Sequence, residues 1–211
     1  MSFHLHQKQR YLLSPKAYQQ WGHLQPPSQQ TLERKYPKIK SVHIRKMYTK
    51  KYGSLQGGRG VFACQNARTG SIVGITIEGL YYHSSEIDKI EKLHNWTHVR
   101  EYSISFDMPD KKNSVSGLGE WNYIDKINSV VMTCNDGQYG MFKDKQSQVN
   151  AVFIPRFIND FPFIFIHMTK TIFKSEQIFV SYGELWWKVI VTCSNCNEKM
   201  NRQIFITHKC N

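Results

Sequence analysis

Residues 176–187 read EQIFVSYGELWW: an apolar run of Ile178, Phe179 and Val180, a break at Ser181–Gly183, and then two adjacent tryptophans. β-branched and aromatic residues in a short run predict a strand, and the glycine predicts a sharp change of direction at its end. Strand alternation would set Ile178, Val180 and Tyr182 on one face. One phenol hydroxyl then stands at the end of an oily strand, immediately before a bendable residue.

Upstream, GRGVFACQNARTGSIVGITIEG predicts a hairpin: an apolar run from Val61, a polar turn around Asn66–Gly70, and a second run with Ile75, Thr76 and Ile77 in alternation. SSEIDKIEKLHNW supplies Ser84 or Ser85 as an N-cap and sets Ile87, Ile90 and Leu93 on one helical face. NAVFIPRF and FPFIFIHM are strand-like, while DMPDKKNSVSGLGE is rich in turn formers. The fold class is therefore mostly β with few helices. There is no internal repeat and no βαβ pattern, and GGRG lacks the GxGxxG spacing of a dinucleotide site.

A chain of 211 residues can bury a core without disulfides, and five cysteines is an odd number for a stapled secreted domain. MSFHLHQKQR has no apolar signal core, so a reducing, nuclear or cytoplasmic location is expected rather than secretion. The absence of any eighteen-residue apolar run argues against a membrane span. The net charge of +12 is concentrated at the front: residues 1–51 hold 11 Lys and Arg against Glu33 alone. With LQPPSQQ inside it, this segment is expected to be an irregular or partly extended basic arm, separate from a body at 52–190 and a Cys-rich tail at 191–211. Its charge suits DNA or a nucleosome through phosphate neutralisation, or equally a solvated face.

Four stretches occur in a fixed order: GRGVFA, CNDG, NAVF and TKTIFKSEQIFVSYGELWW. Together they resemble the SET-domain family of protein lysine methyltransferases over about residues 56–187. The resemblance implies small β-sheets around a knot-like crossing, with S-adenosylmethionine and a target lysine entering from opposite faces. It makes Tyr182 the catalytic hydroxyl and Val180 its neighbour at the position governing methyl number. Gly58, Arg59 and Gly60 would meet the methionine end of the donor. Asn135 falls at the Asn of the family's Asn-His-Ser motif, where its amide would bond the adenine edge of the donor; Asp136 replaces the motif's His in the same donor-binding stretch, and Asn150 falls at a further family Asn. Ser181 stands where the family often has Asp. Trp186 offers an indole to adenine, although a Trp186–Trp187 pair also suits a core. By order along the chain, Tyr102 and Tyr123 are the channel walls.

The tail contains Cys193 and Cys196 as a CxxC, followed after eleven residues by His208 and then Cys210. Four such ligands could close a tetrahedral zinc site, or stand as ordinary thiols. The family's post-SET zinc segment uses a different spacing and adds a cysteine after Asn-His-Ser, where this chain has Gln138. The expected activity is methyl transfer from S-adenosylmethionine to a lysine of a protein substrate, with histone the family's commonest implication. The alternative is a non-catalytic SET-like module that binds chromatin or protein.

Overall fold

The computed structural model describes residues 4–5, 10–46, 58–76, 78–94, 103–104, 118–119, 131, 133–139, 146–205 and 208–210. In chain order the elements begin with β1 (His4–Leu5), β2 (Arg10–Leu13), α1 (Pro15–Trp21), α2 (Gln29–Lys35), β3 (Val42–Lys46), β4 (Arg59–Ala63), β5 (Ile72–Ile75) and β6 (Glu78–Tyr81). They continue with α3 (Ile87–His94), β7 (Ser103–Ile104), β8 (Leu118–Gly119), β9 (Asn135–Asp136), β10 (Ala151–Ile158), β11 (Phe161–Met168) and β12 (Gln177–Val180). The last are α4 (Glu184–Lys188), β13 (Ile190–Thr192), β14 (Lys199–Asn201) and α5 (Arg202–Phe205). Short strands in small sheets dominate, as the sequence predicts. No helix among the described residues is long and apolar enough to cross a membrane.

The chain forms two compact units. The first comprises residues 1–40, 72–132 and 154–166. Its five-stranded sheet has the order β1-β2-β6-β8-β7, with β2 parallel to β6. Trp21, Tyr81, Phe161 and Phe163 are buried at its centre; the Tyr81 and Phe161 rings meet edge-on at 5.0 Å, and the Tyr81 hydroxyl donates to the Pro162 carbonyl at 2.8 Å. Ser14 caps α1 by accepting from the Ala17 N–H. Its own hydroxyl donates to the buried Glu86 carboxylate at 2.5 Å, which also accepts from the main-chain N–H groups of Lys16 and His83.

The basic segment therefore differs from an irregular lead-in. Its strand β2 lies in the sheet, and Leu13, Ala17, Trp21 and Leu32 are all at most 1% exposed. The reason is its apolar residues: the cationic side chains set the net charge, while Leu and Trp between them supply area worth removing from water.

Most of β10 and β11 belongs to this unit, joined by Asn159 and Asp160 at φ 52° and 60°, a two-residue turn that suits the twist of a hairpin. Pro155 sits in β10, the outer strand of the order β10-β11-β5, where a missing N–H is tolerated. α3 forms as its spacing predicts, packing Ile90 with Leu80 and Tyr82.

The second unit comprises residues 41–71, 133–153 and 167–211. Its main sheet runs β3-β4-β12-β9, and the β13–β14 pair stands apart. The predicted hairpin after residue 58 does not close. β4 pairs with β3 and β12, whereas β5 joins the β10–β11 sheet. The intervening turn bonds elsewhere: Ala67 bridges Ile172, and the Gly70 N–H donates to the Met168 carbonyl. Two apolar runs separated by a polar turn specify two strands, but which edge each strand joins depends on partners distant in sequence.

Candidate active site and metal centre

Strand β12 organises the site. On one side it pairs antiparallel with β4, matching Gln177 with Phe62 and Ile178 with Val61. On the other it pairs parallel with β9, matching Phe179 with Asn135 and Val180 with Asp136. Its four residues are all buried, so both faces of the strand are covered. The strand ends at Val180, leaving Tyr182 just beyond it and half-buried.

Tyr182 is held at three points. Its hydroxyl donates to the Cys134 carbonyl at 2.6 Å. Its main-chain N–H donates to Asp136 Oδ1 at 2.8 Å. Its ring meets the Trp186 ring edge-on at 4.9 Å. Gly183 follows at φ 80°, in the left-handed region that a side chain disfavours, and this turn starts α4 so that Trp186 comes back beside Tyr182. The two tryptophans divide: Trp187 is buried, while Trp186 is half-buried with one face under the Arg202 guanidinium at 4.1 Å.

Asp136, which stands where the family motif has His, caps its own turn. Oδ2 accepts from the N–H groups of Gln138 at 3.0 Å and Tyr139 at 2.5 Å, in addition to the Tyr182 bond on Oδ1. A 5%-exposed carboxylate is thereby satisfied by main-chain donors. Asn135 donates from Nδ2 to the Arg59 carbonyl at 2.9 Å, tying β9 to the start of β4. Gly58 is exposed at the bend before β4, Arg59 is half-buried and Gly60 is buried. A Cβ on Gly60 would lie 2.6 Å from Gln177 Nε2 and 3.1 Å from Asn135 Nδ2, so this glycine makes room for two amides. The Asn150 side chain binds the β12 backbone twice, donating to Gln177 O and accepting from Phe179 N, both at 2.9 Å, and its main-chain N–H donates to Phe179 O at 3.1 Å. Burial pushes the Cys134 thiol pKa far up, which keeps the thiol neutral.

Thus Arg59, Gly60, Asn135, Asp136, Val180, Tyr182 and Trp186 are gathered along β12 and its neighbours. Tyr102 and Tyr123 lie outside the described residues. The sequence offered no signal for the Cys134 carbonyl, since any residue supplies one, nor for Arg202, which lies in no motif.

The tail brings Cys193, Cys196, His208 and Cys210 together, with all four ligand atoms within 4.8 Å of one another. Cys193 and Cys210 sulfurs are 3.4 Å apart, and His208 Nε2 lies 3.2 Å from Cys196 Sγ and 3.6 Å from Cys210 Sγ. Tetrahedral zinc, with bonds of about 2.3 Å to sulfur and 2.0 Å to nitrogen, separates its ligand atoms by about 3.5–3.8 Å, close to these values. The β13–β14 hairpin builds the site: Cys193 follows β13, its N–H donates to Glu198 O, and Asn197 at φ 58° closes the turn. The N–H groups of Cys196 and Asn195, with the Cys210 thiol, lower the Cys193 pKa to about 6, while the proton shared with Cys193 and Cys196 raises Cys210 to about 11. Glu198 lies 3.9 Å from His208 Nδ1, the ring nitrogen turned away from the sulfurs. A Cys3His cluster of this form is compatible with zinc.

Among solved structures, the chain is similar to a protein of Plasmodium falciparum described as a candidate histone methyltransferase, at 20% identity and a TM-score of 0.42, covering 70% of this chain and 97% of that one. It is also similar to ctPRC2 bound to S-adenosylmethionine in an autoinhibited conformation, at 17% identity and a TM-score of 0.47, and to apo ctPRC2 with a substituted Ezh2, at 16% and 0.47. Each ctPRC2 comparison covers 68% of this chain, which spans 15% of the ctPRC2 chain. No curated protein matches the sequence. The model of the SET domain matches residues 58–183, more than half of the chain, running from the glycine before β4 through β9 and β12 to the glycine after Tyr182. With that match over the elements that hold Tyr182, this chain belongs to the SET-domain family.

Proposed function

We infer that the protein is a lysine methyltransferase that uses S-adenosylmethionine. The single observation that carries this reading is the fixed hydroxyl of Tyr182. With its proton given to the Cys134 carbonyl, the phenol oxygen keeps its lone pairs as acceptors. A sulfonium methyl and an amine approaching it are both partners for such an oxygen, and an aligned displacement needs that kind of fixed orientation.

When bound, S-adenosylmethionine supplies an electrophilic methyl group. The main chain at Gly58, Arg59 and Gly60 would hold its methionine end, Asn135 keeps that strand in place through Arg59, and Trp186 would lie against adenine. Asp136 fixes the Tyr182 backbone. Val180, buried in β12 opposite Asp136, would limit by its side-chain volume how many methyl groups the lysine accepts. The substrate is a protein lysine, and a histone tail is the favoured source. Zinc at Cys193, Cys196, His208 and Cys210 would close the tail. The charge of residues 1–51, with Lys16, Arg34, Lys35 and Arg45 exposed, supports docking on DNA or a nucleosome, and hence a nuclear location.

Titration calorimetry with S-adenosylmethionine, followed by mass spectrometry of lysine peptides incubated with protein and donor, tests the reading. Heat of binding and a gain of one methyl mass or more are expected. An absence of both would leave a SET-like binding module.

A further inference from the structure

We propose that Arg202 is a positioning residue through which the metal-closed tail holds Trp186, and through it Tyr182. The proposal rests on the methyl-transfer reading of Tyr182 given above. The guanidinium carbon of Arg202 sits 4.1 Å from the centroid of the Trp186 ring, and that ring meets Tyr182 at 4.9 Å and Trp187 at 4.7 Å, each edge-on. Trp186 is thus clasped between the tail and the site.

One hairpin joins this contact to the metal ligands. β13 and β14 pair with Ile190 opposite Asn201 and Thr192 opposite Lys199. Cys193 follows one end of the hairpin directly, and Arg202 follows the other. The Arg202 N–H donates to the Val189 carbonyl at 3.1 Å, which fixes where its side chain starts. Closing the four ligands around an ion rigidifies this hairpin, and the rigid hairpin delivers a planar cation to the indole face.

No other link from the metal to β9 is present among the four ligands. All of them lie between residues 193 and 210, and the β9 turn has Gln138, not a cysteine, at the position where a ligand could have come from it. Among the described residues, the Arg202–Trp186 contact is a side-chain link from tail to site. The planar guanidinium matters as well as its charge, because it can lie flat on an indole whereas an ammonium acts as a point charge.

The test uses the full chain loaded with zinc. Arg202→Ala should keep one zinc per chain and lower kcat on a lysine peptide by about tenfold with KM within about twofold, and Arg202→Lys should recover part of that loss. Tryptophan emission provides a readout independent of activity. A chelator should red-shift the parent, Arg202→Ala should be red-shifted beforehand and respond little, and Trp186→Phe should abolish the response. Parental kcat in Arg202→Ala together with an undiminished chelator response would overturn the proposal, as would a parent chain that binds no zinc. If the parent transfers no methyl group, the methyl-transfer reading falls, while the emission measurements still decide whether Arg202 couples the tail to Trp186.

Discussion

The hydroxyl of Tyr182 donates to the main-chain carbonyl of Cys134 across 48 positions of sequence, at 2.6 Å. This bond ties the second residue after β12 to the residue before β9, two strands that run parallel side by side. The phenol is therefore oriented by the sheet itself.

Tyr182→Phe removes only the oxygen. Turnover should fall by about 10²–10³ through loss of a preorganised polar group, and stability should drop by about 1 kcal/mol because the Cys134 carbonyl loses a partner. Steady-state kinetics on a lysine peptide, with urea unfolding alongside, check both. Turnover equal to the parent's would remove Tyr182 from the chemistry.

Asp136→Ala leaves three main-chain N–H groups without their carboxylate acceptor, at a cost of about 1–3 kcal/mol. Asp136→Asn keeps one acceptor oxygen and should lose less. Hydrogen exchange at the Tyr182 amide should quicken in both variants; unchanged protection would show that the bond to Oδ1 does not hold this backbone.

Asn135→Ala cuts the tie to the Arg59 carbonyl. Affinity for S-adenosylmethionine should weaken by about 1–3 kcal/mol as the Arg59–Gly60 strand end loosens. Calorimetry reads this directly, and an unchanged dissociation constant would confine Asn135 to structure.

Purified protein should carry about one zinc per chain, and Cys196→Ser should lower that occupancy. A chelator should make residues 193–210 more open to proteolysis while the β3-β4-β12-β9 sheet stays protected. Elemental analysis finding no zinc, with exchange of the tail amides unaffected by chelator, would return the four residues to plain thiols and imidazole.

Trp21→Ala should destabilise the protein by about 3–5 kcal/mol, since a large, 1%-exposed side chain leaves a cavity among Tyr81 and Phe161. A chain beginning at Tyr52 should lose more, because β2, α1, α2 and β3 go with it. By contrast, Arg34→Ala with Lys35→Ala should keep the melting temperature and lower DNA affinity, reducing the salt dependence by about one to two ions. Equal DNA binding by parent and double variant would make these two cations solvent-facing only.

The sequence alone determined the local grammar. Apolar runs at 59–63, 151–158, 161–168 and 177–180 became strands, Ser84–His94 became a short helical segment, and the Cys193, Cys196, His208 and Cys210 spacing marked the tail as a ligand set. These features depend on neighbours a few residues apart, so they can be read directly along the chain. The ordered motifs also carry the resemblance to the SET family. Tertiary structure decided which strands pair, and sent β4 and β5 to different sheets instead of one hairpin. It also gave the basic segment buried anchors at Leu13 and Trp21, turned Asp136 into a cap for the Tyr182 backbone, and laid Arg202 on Trp186. Strand pairing, burial and ring contacts join residues tens of positions apart. Their energies depend on which surfaces meet, and residue spacing alone does not specify that meeting.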